Sequence, residues 1–316
     1  MRDEAPFLLE WIAYHQMIGF EQFVVYSNHC TDGTDLLLDE IARHLPLCHR
    51  RHDPGAGSAQ HHGAGLFMQS GFLAEGDWVM WLDPDEFLNV KRGLGNLPDL
   101  LGLIGPYQGM PVPWRVFGDA NRRFHPGRQI SSAFTWAERL HRPGKRMLKT
   151  LCRVGPGLDR LRIHAPSMTP EFWTTSRTFL SSDGRPVDLA DPAILRWSKG
   201  GALLIDAAEV SWDIAQVNHY HVRTEAGFAL KHKRGCGSVG SAIHTQAHEK
   251  YAPGRFAANN PNIEEDRSIL RHEPGLNRVM QGLLRTGRIG EMQSRIWANF
   301  RAHEAAFLAE SENRVL

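Results

Sequence analysis

Two aspartates one residue apart stand in the run Asp83-Pro84-Asp85-Glu86, directly after the apolar stretch Trp78-Val79-Met80-Trp81-Leu82. Carboxylates in that position at a strand end can hold a hard divalent cation that also binds phosphate oxygens. The competing reading is a solvated turn, because Asp and Pro are good turn formers. A second source of ligands is Asn218-His219-Tyr220-His221, where alternation along a strand would point both imidazoles to one face. Imidazole suits manganese-like ions better than calcium, although a surface or core pair of histidines would look the same.

Cations follow soon after. Lys231, Lys233, Arg234 and Gly235, with Cys236-Gly237-Ser238, make a flexible basic segment suited to covering a diphosphate, or else a solvated basic loop. Lys145, Arg146, Lys149 and Arg153 form another cluster, which a strand alternating with Leu148 and Leu151 would produce without any function. Trp114-Arg115-Val116-Phe117-Gly118 and Phe134-Thr135-Trp136-Ala137-Glu138 set large aromatics next to polar groups. Aromatic faces stack on sugar rings, and a neighbouring carboxylate could take a proton from an acceptor hydroxyl. Glu138 and Asp119 are the base candidates, with core packing the plainer reading for each Trp.

The elements that must carry these groups are legible in the first part of the chain. Asp3 and Glu4 precede Pro6 in a helix's first turn, and Leu8, Leu9, Ile12, Ala13 and Met17 recur at helical spacing until Gly19. Phe20 to Tyr26 reads as a strand ending in the turn-forming run Ser27 to Thr34, which caps a helix over Asp35 to His44. A strand over Leu45 to Arg51, a helix over Ser58 to Ala74 and the strand Trp78 to Leu82 follow. Such alternation predicts a mostly parallel central sheet with helices on both faces, ligands gathering at the carboxyl ends of its strands. Beyond Asn89 the pattern loosens into Gly- and Pro-rich segments with apolar pieces, and from Asn262 onward helical spacing returns, suited to packing on the main body or to membrane or partner contact.

The 316 residues carry 36 Lys and Arg against 35 Asp and Glu, a balance of +1 that gives no general field for nucleic acid or an anionic membrane. Any anion site must be local. The four cysteines are scattered without a CxxC spacing, as expected for a reduced, cytoplasmic chain. No apolar run approaches the ~20 residues that span a bilayer, so membrane contact, if any, is expected to be peripheral at the inner face.

Several of these pieces, taken together in their order and spacing, resemble the family 2-like glycosyltransferases related to family 92: Arg2 to Pro6 with Leu9 to His15, Gly19-Phe20, Tyr26-Ser27-Asn28, Thr31 to Thr34 and Trp81 to Leu88. The likeness continues through Trp114 to Gly118, Lys149 with Arg153, and Asn218-His219-Tyr220 followed by Phe228, Lys231, Arg234 and Gly235. It implies a GT-A type fold over residues 1–260, followed by a helical extension over 261–316. By the resemblance Asp83 and Asp85 bind manganese or magnesium and the donor diphosphate, His219 is a later metal ligand with His221 in reserve, and Glu4, Ser27, Asn28 and Asp32 contact the nucleoside. In that family a strand precedes the Arg-Asp-Glu position, so the resemblance expects a first strand that this sequence lacks.

The implied reaction moves a sugar from a nucleotide-diphospho-sugar, a UDP-sugar first among them, to a hydroxyl of a glycan, lipid-linked or protein acceptor, as in surface polysaccharide synthesis. An inverting, single-displacement course is what the resemblance favours. Two readings compete. A haloacid-dehalogenase-like phosphatase also uses Asp-x-Asp after an apolar strand, but wants Thr or Val where Phe87 stands and places the motif near its start. A binding protein derived from a transferase would keep the nucleotide site without turnover.

Overall fold

The computed structural model describes residues 1–127, 129–140, 144–175, 178–187, 195–197, 203–238 and 253–313. In chain order its principal elements are α1 (Ala5–Met17), β1 (Phe23–Ser27), α2 (Thr34–Ile41), β2 (Leu47–Arg51), α3 (Ala59–Met68), β3 (Trp78–Met80), β4 (Glu86–Val90), α4 (Leu97–Ile104) and β5 (Gly109–Val116). Then come β6 (Lys145–Arg153), β7 (Leu195–Trp197), β8 (Leu203–Asp206), β9 (Ala215–His219), α5 (Glu225–Arg234), α6 (Glu273–Leu284) and α7 (Ile289–Asn313). They gather into two compact units, one of residues 1–59, 116–138 and 220–316, the other of 60–115 and 139–219.

The first unit is organised around α1. Pro6 sits in its first turn, where the missing N–H costs no helical hydrogen bond. Every residue from Ala5 to His15 is buried, because α2, α6 and α7 all pack against this helix. A helix enclosed on all sides must satisfy any polar group it carries. Glu10 does so by accepting from the backbone of Ile130 at 2.6 Å and from the backbone and hydroxyl of Ser131. Beside α1, β1 and β2 pair in parallel from Phe23 with Leu47 to Ser27 with Arg51, with α2 between them in sequence. Gly33, at φ +89, takes the left-handed conformation that opens α2.

The second unit holds a seven-stranded sheet in the order β7, β8, β6, β5, β9, β4, with β3 paired to β6 off that path. β6 is long enough to carry β5 along one edge and β8 and β3 in succession along the other. This corrects the expectation of a mostly parallel sheet: β1 with β2 is the parallel pair, and every other ladder with a described register is antiparallel. A parallel pair needs a crossover helix of a dozen or so residues. Helix and strand alternate up to β3, whereas β3 pairs with β6, β8 with β7 and β6, and β4 with β9, all antiparallel. The architecture is mixed α/β.

Two strands position the chemistry. β4 and β9 are buried along their whole lengths and lie antiparallel, with Glu86 opposite His219 and Phe87 opposite Asn218. Their inward polar groups answer one another: Gln216 Nε2 donates to Asn218 Oδ1 at 2.6 Å, and Asn89 Nδ2 reaches the same oxygen at 3.4 Å. The segment from Asn262 contains α6 and α7 after a 3₁₀ turn over Ser268–His272. No helix among the described residues is long and apolar enough to cross a membrane.

Candidate functional site

β3 ends at Met80, earlier than the apolar run that announces it, and the chain turns before β4 starts at Glu86. The turn closes at both ends: Glu86 N donates to Asp83 O at 2.9 Å, and the Glu86 carboxylate accepts from Asp83 N at 2.8 Å. Pro84 sits at the second position of this turn, where its fixed φ is favoured. Asp83 and Asp85 are thereby held at the end of β3, and the register of β9 on β4 brings His219 alongside. His219 Nε2 lies 3.7 Å from Asp85 Oδ1, with side chains of 8% and 11% exposure. The Trp114 ring packs on the imidazole with centroids 4.0 Å apart, fixing its plane.

Asp83 has other company. Lys149 Nζ stands 3.0 Å from Asp83 Oδ2 and 3.1 Å from Glu86 Oε2, and Gln60 Nε2 donates to Asp83 Oδ1 at 2.7 Å. Lys149 and Glu86 are fully buried. Burial pulls the Lys149 ammonium down, but Asp83 and Glu86 outweigh it and hold its pKa above the ordinary value. Burial pushes the Glu86 carboxyl well up against the attraction of that ammonium.

No group of three or more His, Cys, Asp or Glu among the described residues is gathered as a self-sufficient metal cage. What the turn does offer is one carboxylate and one imidazole facing each other, with the carboxylate of Asp83 next in the chain. That donor set fits an octahedral ion of the magnesium or manganese kind, which is held by one or two carboxylates together with substrate phosphates rather than by protein alone. β9 stops at His219, so strand alternation does not extend to His221, whose ring is 6.4 Å from that of Phe228 in the first unit.

The first unit contains a cavity of about 730 Å³ that brings together Glu4, Asp32, Lys231 and Arg234, four of the residues singled out from sequence. Glu4, 3% exposed, receives Arg223 Nη2 at 3.1 Å on one oxygen and Arg234 Nη1 on the other. Arg234 also donates to the carbonyl of Arg2 at 2.8 Å. It can do so because α5 ends there. Thr224 caps the helix by accepting from Gly227 N, four basic residues occupy its last turn, and Gly235 at φ +87 stops it. Asp32 accepts from Ala5 N, Thr34 N and the Thr34 hydroxyl, tying the starts of α1 and α2 together. Burial raises its pKa above the usual carboxylate value.

Ser27 and Asn28 lie at the carboxyl end of β1, nearly buried. Ser27 Oγ is 2.8 Å from His49 Nε2, and His49 Nδ1 is 2.7 Å from Asp39 Oδ1. Asp39 is also gripped by Arg51, which donates to Oδ2 at 2.6 Å. Burial keeps the His49 pKa below its usual value, so the imidazole is neutral, and Asp39 selects the tautomer that leaves Nε2 to accept from the serine. Asn28 N donates to Met1 O at 3.1 Å.

The two base candidates are both engaged. Glu138, 1% exposed, accepts from Val116 N at 3.1 Å. Asp119 Oδ1 accepts from Asn121 N and Asn262 Nδ2, while Asp119 N donates to Asn260 Oδ1. Sequence reasoning did not find Gln60, His49 with Asp39, or Arg223. Arg223 carried a usable signal, as a basic residue just before the Thr-x-x-Gly cap of α5. The others are set by tertiary pairing and left no local trace.

No protein-family model and no solved structure matches the chain. Similarity to known proteins is partial. A glycosyltransferase family 92 protein of Ricinus communis is 29% identical over 106 residues, 31% of this chain and 17% of that protein. Its counterpart in Oryza sativa subsp. japonica is 28% identical over 138 residues, 43% and 23% of the two chains, and one in Arabidopsis thaliana is 28% identical over 136 residues, 39% and 21%. The matched stretch spans about a fifth of the length of these relatives. Over the matched residues the chain is similar to family 92 glycosyltransferases.

Proposed function

We propose that the protein is a metal-dependent glycosyltransferase that moves a sugar from a nucleotide-diphospho-sugar, a UDP-sugar first among candidates, to an acceptor hydroxyl. The observation that carries this is the Asp83-Pro84-Asp85-Glu86 turn meeting His219 across the β4–β9 ladder, with Asp85 and His219 3.7 Å apart. The similarity to family 92 proteins gives the reaction class.

In this reading Asp85 and His219 hold manganese or magnesium together with the donor diphosphate, and Asp83 supports them. When bound, the ion supplies charge that stabilises the leaving diphosphate. Lys149 pairs with both Asp83 and Glu86 and orients them, so the turn is already in its working shape before any donor arrives. Lys231 and Arg234 offset phosphate charge, and Glu4, Ser27, Asn28 and Asp32 surround the nucleoside. Glu138 or Asp119 takes the acceptor proton in a single, inverting displacement. The GT-A type fold, the cytoplasmic setting and a glycan acceptor belong to the same proposal.

The test is thermal unfolding with a panel of nucleoside diphosphates and nucleotide sugars, each with manganese, magnesium or chelator. A ligand that binds only the folded chain raises its melting temperature. The reading expects a rise with one nucleotide that depends on the ion and disappears in Asp85→Asn. A rise that is equal with chelator, or equal in the variant, contradicts the assignment.

A further inference from the structure

Beside Asp119 the backbone is strained. Ala120 and Asn121 stand in succession in the left-handed region, at φ +52 and +56, which Asn tolerates and Ala does not. Three successive N–H groups are captured there by side chains: Asp119 N by Asn260 Oδ1 at 2.7 Å, Ala120 N by Asn262 Oδ1 at 3.0 Å and Asn121 N by Asp119 Oδ1 at 2.8 Å. A Cβ on Gly118 would collide with both amide oxygens, so only glycine lets the two asparagines come this close. Strain of this kind persists where surrounding contacts over-determine it, and it gathers at working sites.

The result is a carboxylate with one oxygen fixed and the other unspent. Asp119 Oδ1 accepts from Asn121 N and, at 2.7 Å, from Asn262 Nδ2, an amide oriented in turn by the bond its own oxygen receives from Ala120 N. Asp119 Oδ2 receives no hydrogen bond among the described residues. Glu138 is 1% exposed against 9% for Asp119, and is tied to Val116 N. A general base needs a held carboxylate with an oxygen left for the proton it takes, and Asp119 has both.

Gly118 N donates to Trp136 O at 2.9 Å and Phe117 bridges Ala137, so Gly118 and Trp136 lie opposite one another and share a face. The space over Gly118 is taken by the amides of Asn260 and Asn262, which therefore stand on the Trp136 face. Trp136 is 38% exposed, although large aromatic side chains are buried on average. Across the other ladder its partner is Glu265, whose exposed carboxylate accepts from the Thr135 hydroxyl at 3.1 Å. An indole face bordered by carboxamides, carboxylates and a hydroxyl suits a pyranose, its C–H face on the ring and its hydroxyls on the rim. All of these residues belong to the first unit, and none lines the cavity given to the donor.

We propose that Asp119, Asn262 and Trp136 form an acceptor subsite for a saccharide. The sugar stacks on Trp136, and the O–H bond of one hydroxyl breaks as its proton passes to Asp119 Oδ2. The oxygen forms the new bond to the anomeric carbon of the donor, and the diphosphate leaves with the electron pair of the bond that joined it to that carbon. Asn262 is a positioning residue, holding Asp119 through Oδ1. The proton transfer rests on the transferase reading; the saccharide site stands without it.

The experiment probes a glycan array with the full chain, then measures transfer from UDP-sugars to the glycan retained, for wild type, Trp136→Ala, Asp119→Asn, Asn262→Asp and Glu138→Gln. Asn262→Asp keeps the oxygen that accepts from Ala120 N and loses the N–H that holds Asp119. Trp136 is exposed, so its variant should fold, and the melting temperature checks each of the others. Wild type should retain at least one glycan, and Trp136→Ala should weaken that binding by about tenfold or more. Asp119→Asn should lower kcat by ~10²-fold or more and Asn262→Asp by about tenfold, both with acceptor KM near wild type. A merely structural role for Asn262 would instead lower the melting temperature and leave kcat of the folded fraction unchanged. No retention on any glycan, unchanged affinity in Trp136→Ala, or full kcat in Asp119→Asn overturns the subsite. Binding that depends on Trp136 without transfer from any nucleotide sugar removes the transferase reading and leaves the saccharide site. Transfer that survives Asp119→Asn and is lost in Glu138→Gln overturns the subsite and leaves the transferase reading.

Discussion

Lys149 lies where a hydrophobic side chain would cost least, at a position wholly enclosed between strands, yet it carries the charge that two carboxylates share. Replacing it with Met leaves Asp83 and Glu86 to face each other in a low-dielectric setting. The expected loss of stability is about 3–5 kcal/mol, the usual cost of breaking a buried ion pair from one side, measured by urea unfolding. A loss below about 1 kcal/mol would mean that the trio is not paired in solution. Asp85→Asn should be different in kind: near wild-type stability, with ion-dependent binding reduced ~10²–10³-fold, the size seen when one preorganised electrostatic group is lost. His219→Ala should weaken the same binding less. In the sequence the aspartates and His219 were legible because each sits in a short run with a physical meaning, a turn after an apolar strand and a polar alternation. Lys149 was ambiguous between a cation cluster and one face of a strand, and only the pairing of β6 with its neighbours resolves its partners. Gln60 and the Ser27–His49–Asp39 chain were not legible at all, since nothing in local spacing relates residues 27, 39 and 49 until β1 and β2 pair.

α1 shows how an element can be read correctly and its setting missed. Its start, its proline and its end were plain in the sequence, but total enclosure was not, because much of what covers it comes from α6 and α7 at the end of the chain. That enclosure has a consequence in acid. Burial drives His15, whose Nδ1 faces the Trp11 carbonyl at 2.8 Å, down to about 3 from 6.5. Burial, aided by Arg223, does the same to His125, packed among Phe7, Phe134 and Trp297, also down to about 3. Both are neutral in the fold and protonated when unfolded between those values. The unfolded chain then binds more protons, so stability is complete above pH 6.5 and falls as pH drops toward 3, by about 1.4 kcal/mol per unit for each residue. Urea unfolding at pH 7, 6 and 5 should show this acid limb, and His15→Gln should flatten it; an unchanged slope in that variant would place the loss elsewhere. On α7, Glu304 is 1% exposed and accepts from the Thr224 hydroxyl at 2.7 Å and from His125 N. Glu304→Ala orphans those donors and should cost about 1–3 kcal/mol.

For the molecule as a whole, the sequence predicted helix and strand in the right order as far as β3, and an α/β architecture with them. It overestimated parallel pairing because alternation of elements was extended past the region that shows it; from Gly109 onward β5 and β6 pair antiparallel over a long, irregular connection, which composition alone does not distinguish from loop. The sequence left the final helices either packed on the main body or free for membrane or partner contact; α6 and α7 pack on α1, and Gln293 Nε2 donates to Pro6 O at 2.9 Å. A chain stopped before Ile289 should therefore lose cooperative unfolding of the first unit, as followed by circular dichroism; a wild-type melting temperature would show that these helices are dispensable. The claim most in need of direct testing is sugar transfer itself. The measurement is manganese-dependent release of nucleoside diphosphate from a set of nucleotide sugars, UDP-sugars first, by wild type and Asp85→Asn with glycan acceptors present. The account predicts release from one donor that requires the ion and falls at least ~10²-fold in the variant. Release at equal rates from both proteins, or from wild type in chelator, would contradict it.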